Sequence, residues 1–385
     1  MITDHNIDQG KCKHCVDSVN VKNQLLMETK DHIHKIEALG KEEERLCRKY
    51  RNLSRKRALA YGYKIPTSID KDVVKVDMID NVLKQDIPNS IFSVITNNYY
   101  SSCFMIQTGL IELKTQCHQC TGKLGLYLNS AYGDFNYKCQ CGEYWNFLDK
   151  TIWKDYKLNS RKILTLLIMF LIGCKAIEIK KLLNAECREY APLARFIKKL
   201  ISEYFIRSLP KFRGIVEIDE SAFRSNKVRA NNKIEKWVFG LYERERKLVY
   251  MEIVKNRRES TLIPIIQKIC EPGTTIISDQ WASYNKLPDY GFPHYTVDHS
   301  RFFVNPHSRE IHTQDIEISW GWAKYEIRRQ NRCLHDLQEH LHLFCWKRQF
   351  KEYQDKVTET TALIKGFCEI FKEYQTREKK TENQV

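Results

Sequence analysis

Gly214-Ile-Val-Glu-Ile-Asp219 is a run of mostly apolar residues that ends on a carboxylate. Its composition predicts a buried strand with Asp219 at its carboxyl end. A second run of this kind, Thr274-Thr-Ile-Ile-Ser278, leads into Asp279. A third acid, Glu317, stands near the start of a segment with helical periodicity. The apolar positions of that segment are Ile316, Trp320, Ala323 and Ile327. We therefore expect two strand ends and one helix start to bring three carboxylates to one point.

Three converging carboxylates are a known requirement of metal-dependent phosphoryl transfer. Two divalent ions about 4 Å apart clamp the attacking and leaving oxygens of a phosphodiester. Mg²⁺ prefers one or two carboxylates plus water and phosphate, so three acids suffice for a pair of Mg²⁺ or Mn²⁺ ions. Taken one at a time, an acid at a strand end or in a first helical turn is also an ordinary capping residue. The prediction therefore depends on the sequence around the three acids.

Other polar residues near these acids are candidates to replace one of them or to assist the reaction. By strand alternation Glu217 shares a face with Asp219 and is the one credible replacement for it, whereas Glu220 faces the other way. His299 and His312 are candidates for positioning water or phosphate. The alternative for each histidine is a structural hydrogen bond, which is the commoner role.

Four cysteines in two close pairs predict a zinc ribbon over residues 116–150. The pairs are Cys117-His-Gln-Cys120 and Cys139-Gln-Cys141, and Gly142 follows the second. Four thiolates with this pairing fit tetrahedral Zn²⁺, while unpaired structural cysteines are the alternative. The second pair has one intervening residue where two are commoner. His118 is a spare ligand candidate.

Several stretches of the sequence resemble the signature blocks of Merlin-type transposases, which are relatives of bacterial insertion-sequence transposases with a DDE catalytic domain. The blocks are Glu217–Ser221, Pro272–Tyr284, His294–Ser300 and His312–Trp320. The resemblance extends from about Ser102 to Phe350, with Gln314-Asp315 a departure where an Asn before Ile-Glu is expected. It implies an α/β fold in which a ribonuclease-H-like mixed sheet, flanked by helices, carries Asp219, Asp279 and Glu317 as the catalytic, metal-binding triad.

Composition points to a polyanionic partner. The chain has 385 residues, 63 Lys and Arg against 48 Asp and Glu, a net charge of +15 and a pI near 9.1. DNA is the simplest partner for such a surplus. An anionic membrane surface is the rival, but the basic residues are spread along the chain. No apolar run reaches the length of a membrane span and no secretory signal is visible, so we expect no membrane partner.

The chain divides into six predicted regions. Residues 1–66 are a basic helical leader in which Leu39, Leu46 and Leu53 repeat every seven residues, as in a short coiled coil. Residues 67–115 are a connector and helical segment. The zinc ribbon follows at 116–150, a helix-turn-helix-like module at 151–210, the catalytic domain at 211–350, and a charged helical tail at 351–385. Cys12 and Cys15 form half of a metal site, and whether they bind metal stays open.

Basic residues were assigned to DNA contact in three places. Seven of them and no acid lie between Arg45 and Arg57, which is typical either of a nuclear-import or DNA-contacting strip or of a solvated helix face. In the helical module the candidates are Lys175, Lys180 and Lys181. Lys324 and Arg328, seven and eleven residues after Glu317, would follow it on one helical edge.

Two local expectations concern segments without apolar periodicity. We expect a Lys- and Asn-rich loop from Arg224 to Lys236, followed by a hairpin around Arg244-Glu-Arg246. We expect the tail to become disordered from Thr376.

These observations predict a DNA transposase that binds terminal inverted repeats, cleaves at the element ends and joins the freed 3′-hydroxyl to target DNA. We expect it to use Mg²⁺ or Mn²⁺ together with Zn²⁺, to act as a homo-oligomer on DNA and to work in the nucleus of a eukaryotic host. One alternative is a host-recruited, catalytically silent DNA-binding regulator, which loss of a triad acid would favour. Another is a nuclease of the same fold that cuts without joining.

Overall fold

The computed structural model describes residues 94–95, 98–128, 134–183, 187–229, 232–297, 311–328, 331–332, 335–350 and 356–382. The predictions made for the leader at 1–66, for Cys12 and Cys15 and for His299 lie outside these ranges. None of the helices in the described ranges is both long and apolar enough to cross a membrane.

A small sheet and a group of helices precede the large sheet in the chain. The small sheet has strands β1 to β3, and helix α1 comes before it, with α2 to α4 after it. Their bounds are α1 Asn98–Gln107, β1 Gly125–Leu128, β2 Phe135–Lys138, β3 Tyr144–Asn146, α2 Ser160–Leu171, α3 Ala176–Leu183 and α4 Cys187–Ser208.

The second half of the chain contains the large sheet and four more helices. Their bounds are β4 Ile215–Arg229, β5 Asn232–Glu243, β6 Leu248–Val254, α5 Glu259–Ile269, β7 Thr275–Asp279, β8 His294–Val297, α6 Gln314–Glu326, α7 Leu337–Arg348 and α8 Lys356–Glu382. The predicted hairpin, the strand before Asp279 and the helix that carries Glu317 are all confirmed.

The large sheet is mixed, with the strand order β6-β5-β4-β7-β8. β4, β5 and β6 are antiparallel neighbours, while β7 runs parallel to β4 and β8 runs parallel to β7. The crossover between β4 and β7 contains α5, as a parallel connection requires. β4 is therefore central. The prediction that Asp219 ends this strand is wrong, because β4 continues past it to Arg229, whereas β7 does end at Asp279.

The loop predicted at Arg224–Lys236 is wrong. β4 continues to Arg229 and β5 begins at Asn232, so most of that segment pairs as a long antiparallel ribbon. Cross-strand partners such as Arg224 and Glu235 form an ion pair there. Opposite charges on facing strands stabilise a sheet whose composition is polar, which a reading by hydrophobic pattern misses.

The helical region after the small sheet matches the predicted helix, glycine turn and helix. α2 ends with Gly173 at φ 85°, a left-handed conformation that glycine adopts without strain. Gly173 N–H bonds to the Phe170 carbonyl and Cys174 N–H to the Met169 carbonyl, which closes the helix end. α3 then starts with the Lys175 N–H bonded to the Glu178 carboxylate at 3.0 Å.

The prediction of a disordered tail is wrong as far as Glu382, because α8 is continuous to that residue. Its apolar stripe is buried, and the Phe371 ring stacks on Trp153 with centroids 5.0 Å apart. Farther along, Lys379 pairs with Glu112 at 2.6 Å. Tertiary contacts of this kind hold a segment whose own composition is too polar to predict order.

Candidate active site

Parallel pairing of β4 and β7 brings the first two acids together. Glu217 is aligned with Ile277, so the same register places Asp219, inside β4, beside Asp279 at the end of β7. Both carboxylates are half-buried. Asp279 Oδ1 accepts a hydrogen bond from the Trp281 N–H at 3.1 Å, which orients it. The register therefore makes Asp219 and Asp279 neighbours, and their role as metal ligands stays a prediction.

Trp320 ties the helix of the third acid to the first acid. Its indole Nε1 donates to Asp219 Oδ2 at 3.0 Å. The close approach needs Gly240, which pairs with Asp219 on β5. A Cβ at Gly240 would lie 2.5 Å from Trp320 Cζ2 and 2.9 Å from Ile316 Cδ1. The bare backbone at Gly240 therefore lets the Trp320 ring lie directly against the sheet.

Glu317 lies in the first turn of α6 and is exposed. Its Oε1 accepts from the Thr313 hydroxyl at 3.1 Å. The carboxylate oxygens of Asp219, Asp279 and Glu317 do not all lie within 4.8 Å of one another, unlike the ligand atoms of two other groups in the described residues.

Glu217 holds the start of α6 from inside the sheet. The Thr313 side chain makes no cap bond at this helix end. Instead the N–H groups of Asp315 and Ile316 donate to Glu217 Oε2 at 2.9 and 3.0 Å. A helix leaves its first N–H groups without intrahelical partners, so this buried carboxylate replaces the usual side-chain cap. Glu217 does share the face of Asp219, as predicted, but it positions the helix that carries Glu317.

Arg244 and His312 complete the cluster around Glu217. Arg244 Nε donates to Glu217 Oε1 at 2.7 Å, and its Nη2 donates to His312 Nδ1 at 3.1 Å and to the His312 carbonyl at 2.8 Å. Glu217, His312 and Asp315 have the spacing of a metal site. The guanidinium already supplies the positive charge, so we assign the cluster to structure. Burial lowers the pKa of His312, and Arg244 adds to that effect.

The electrostatics of the three acids are those of an uncompensated negative cluster. The pKa of Asp219 is raised to about 6. Burial is the largest cause, and the charges of Asp279 and Glu317 act in the same direction. The Trp320 hydrogen bond works in the opposite direction. A carboxylate that is costly to ionise beside two others is a place where a divalent cation would be stabilised.

Glu220 points to the other face of β4, as alternation predicts. Its carboxylate accepts a hydrogen bond from the buried Tyr284 hydroxyl. Burial raises the pKa of Glu220 to about 7. Tyr284 belongs to the turn that follows Asp279, so this bond fastens that turn to the central strand.

The helical argument for Lys324 and Arg328 is wrong in part. α6 ends at Glu326 and Ile327 is extended, so Arg328 lies beyond the helix and not on the Glu317 edge. Arg332 Nε caps the chain there by donating to the Ile327 carbonyl at 3.0 Å. Lys324 is half-buried and donates to the Ser221 hydroxyl, and burial lowers its pKa. Ser221 follows Asp219 by two residues, so Lys324 lies beside the acids.

The three lysines of the helical module differ in exposure. Lys175 and Lys181 are exposed, and Lys175 pairs with Glu178 at 3.7 Å. Lys180 is half-buried with its Nζ 5.4 Å above the Tyr190 ring. Two of the three are therefore open to a phosphate backbone.

The four predicted cysteines come together. Cys117, Cys120, Cys139 and Cys141 have sulfurs that all lie within 4.8 Å of one another, with Cys117 and Cys141 3.7 Å apart. Tetrahedral Zn–S bonds of about 2.3 Å imply sulfurs about 3.8 Å apart. Gly142 at φ 96° closes the short second pair, with its N–H bonded to the Cys139 carbonyl at 3.1 Å.

Backbone donors favour the thiolate form of Cys117, whereas hydrogen bonds with neighbouring thiols raise the pKa of Cys139 and of Cys141. The N–H of Cys120, followed by that of Gln119, lowers the pKa of Cys117 to about 7. The spare candidate His118 lies outside the group and packs edge-on against Trp145 at 5.3 Å.

Comparison with known proteins gives the class of the second half of the chain. Residues 211–353 match the ISXO2-like transposase domain, and this stretch holds all three acids. Among individual proteins, an uncharacterized transposase-like protein of Haemophilus influenzae is 27% identical over 122 residues, which cover 31% of this chain and 94% of that protein. Both likenesses support a DDE transposase.

A solved structure was also matched. It is a chain of the simian T-cell lymphotropic virus intasome in complex with the PP2A regulatory subunit B56 gamma, with 15% identity over 46% of this chain and 66% of that chain. The TM-score of 0.26 is too low to indicate a shared fold.

Proposed function

We propose that this protein is a metal-dependent DNA transposase. It cleaves phosphodiester bonds at the ends of a mobile element and joins the 3′-hydroxyl to target DNA. The observation that carries the proposal is the register of two parallel strands, which puts Asp219 of β4 beside Asp279 at the end of β7, with Glu317 on a helix fastened to β4. The match of residues 211–353 to a transposase domain supports it.

The donor set fits a pair of Mg²⁺ or Mn²⁺ ions. Asp219, Asp279 and Glu317 offer hard oxygen ligands, and burial together with the two neighbouring acids raises the pKa of Asp219. When bound, the ions would activate the attacking oxygen and stabilise the leaving one. The mixed sheet then corresponds to the ribonuclease-H-like core implied by the Merlin-type resemblance, which remains part of the proposal.

The residues of this chain supply orientation. Trp320 fixes one oxygen of Asp219, the Trp281 N–H fixes one oxygen of Asp279, and Glu217 fixes the helix end beside Glu317. Preorganised ligands lower the barrier because little reorganisation is left for the reaction itself. Lys324 beside Ser221 places a cation where a phosphate would approach.

The first half of the described chain would recognise DNA. We assign Zn²⁺ to Cys117, Cys120, Cys139 and Cys141, and phosphate contacts to the exposed lysines of the helical module. The net charge of +15 supports a DNA partner. A transposase that joins two element ends would act as a homo-oligomer, in the nucleus if its host is eukaryotic.

A cleavage assay on inverted repeats from the DNA that flanks the gene tests the proposal. A duplex carrying the inverted repeats found there is incubated with full-length protein and Mg²⁺ or Mn²⁺. We expect Asp219→Asn, Asp279→Asn and Glu317→Gln each to abolish cleavage and to keep binding, because each removes a metal ligand and no phosphate contact. Glu220→Gln is the matched control on the other face of β4.

Two results would contradict this function. Near-normal cleavage by any of the three variants would show that the triad is misassigned. Specific binding without cleavage by the wild-type chain, with either metal, would favour the catalytically silent regulator.

A further inference from the structure

An exposed cation and aromatic stack stands next to Asp279. The Arg257 guanidinium lies between two indole rings, with its Cζ 4.2 Å from the Trp237 centroid and 4.3 Å from the Trp281 centroid. Trp281 is the outer ring and remains 38% exposed. An exposed tryptophan beside a candidate active site is a feature that the three-acid chemistry does not use.

The stack is held in place by the backbone around it. Trp281 Nε1 donates to the Arg257 carbonyl at 3.2 Å, and the Ser283 hydroxyl donates to the same oxygen at 2.8 Å. The Trp281 N–H donates to Asp279 Oδ1 at 3.1 Å. The indole therefore has a defined position relative to the second acid, which a mobile surface side chain would lack.

We propose that Trp281 is a stacking platform for an unpaired nucleobase of the DNA next to the scissile phosphate. The proposal rests on the proposed function and adds a base contact to it. Trp281 is two residues from Asp279 and bonded to its carboxylate, so a strand with its phosphate at Asp279 would have a neighbouring nucleotide near this ring. Every base has a π-face, so a flat exposed indole accepts it without sequence preference.

Arg257 gives this surface its chemistry. Its guanidinium lies against both rings, and its charge attracts the phosphates on either side of a stacked base. Because two indoles already shield the cation on its faces, the open side of Trp281 is the part left for a ligand. A base with its phosphate matches both the apolar ring and the positive charge.

The test compares two single strands of equal length, oligothymidylate and an abasic strand with the same phosphates. Binding of each to full-length protein is measured at one ionic strength without added Mg²⁺ or Mn²⁺, so that no cleavage occurs and the Zn²⁺ at the four thiolates is kept. For the wild type we expect thymidylate to bind about 5- to 150-fold more tightly, as one stacked base provides. Trp281→Leu keeps an apolar side chain against Arg257 and should lose most of this preference.

Two further variants serve as controls. Trp281→Phe keeps a ring and should keep most of the preference. Tyr290→Ala removes another exposed aromatic, 43% exposed, in the turn before β8, and should leave the ratio unchanged. Thermal melting of each variant checks folding.

Three results would overturn the platform. Folded Trp281→Leu could keep the wild-type ratio of thymidylate to abasic binding, or the wild type could show no preference for thymidylate. Tyr290→Ala could also lose as much of the preference as Trp281→Leu. These results are independent of cleavage. Failure of the platform therefore leaves the three-acid site standing, and failure of cleavage by the wild type leaves the binding ratio intact.

Discussion

Asp219 lies at the centre of the candidate site, and its ionisation is opposed by burial and by two neighbouring acids. Its pKa is raised from the ordinary value of 3.8 to about 6. Between these values the folded chain holds more protons than the unfolded chain, so stability falls as pH rises through this range. A pKa shift of this size lowers the free energy of unfolding by at most about 3 kcal/mol above pH 6.

We therefore expect Asp219→Asn to be more stable than the wild type without metal. The gain should be about 1–3 kcal/mol near pH 8, because the asparagine oxygen still accepts from Trp320 and no charge is buried. It should disappear near pH 4. Urea unfolding at both pH values without added Mg²⁺ or Mn²⁺ measures it, with the exposed acid Asp289→Asn as control. A variant less stable than the wild type at the higher pH would contradict this account.

The sequence predicted all three acids but not the side chains that hold them. The apolar runs that lead to Asp219 and Asp279 are visible in the sequence, because a buried strand has a hydrophobic pattern. Trp320 was assigned to a buried face, which is confirmed, yet its bond to Asp219 depends on side-chain direction. Glu217 was noticed by alternation, and its partners on α6 could not be read from a linear pattern.

At the level of elements, hydrogen bonds attach α6 to β4 at three points, of which the bond from Lys324 to Ser221 is the farthest from the helix start. Glu217 binds the helix start, and Asp219 accepts from Trp320 one turn after Glu317. The second attachment depends on Gly240, where a Cβ would meet the Trp320 ring at 2.5 Å. The geometry of Glu317 therefore depends on a residue of β5 that is not itself an acid.

We expect Gly240→Ala to displace Trp320 and lower stability by about 1–3 kcal/mol, the usual cost of overpacking a core. Cleavage should fall with it because the Asp219 bond is lost. Denaturant unfolding and cleavage are measured together. Gly321→Ala on α6 is the matched control, since nothing lies within 4 Å of its added Cβ. There alanine favours the helix, and stability should hold or rise slightly. Equal behaviour of the two variants would refute the argument.

Element boundaries were the weaker part of the sequence prediction. The end of α6 at Glu326 removed Arg328 from the predicted edge, and no glycine or proline marks that end. The β4–β5 ribbon lacks hydrophobic alternation, so its sequence predicts a loop, and the strands instead pair through polar contacts such as that of Arg224 with Glu235. Both errors concern pairing and capping contacts that leave no hydrophobic pattern in the sequence.

At the level of the whole molecule, buried side chains of the small sheet, the helices and the large sheet form one continuous cluster. Phe135 of β2 packs against Tyr99 of α1 at 5.7 Å. α8 reaches the same region through Phe371 and Trp153. A change in the cysteine cluster should therefore be felt beyond the small sheet.

We expect the purified chain to hold about one Zn²⁺ at the four thiolates, since coordination energy is also folding energy for a small ribbon. The Cys139→Ser, Cys141→Ser double variant should lose that zinc and melt at a lower temperature. Cys174→Ser, outside the cluster, should keep it. Elemental analysis with thermal melting gives both readouts. Full zinc content in the double variant would sink the assignment.

Gly240 also bears on how such a gene decays. Every missense change of a glycine codon adds at least a Cβ, so each one at this position forces an atom into the Trp320 ring. A copy inactivated in this way would keep Asp219, Asp279 and Glu317 intact. Under the proposed function, an inventory of gene copies that scores only the three acids would therefore count impaired copies as functional. The codon at 240 should be scored with them.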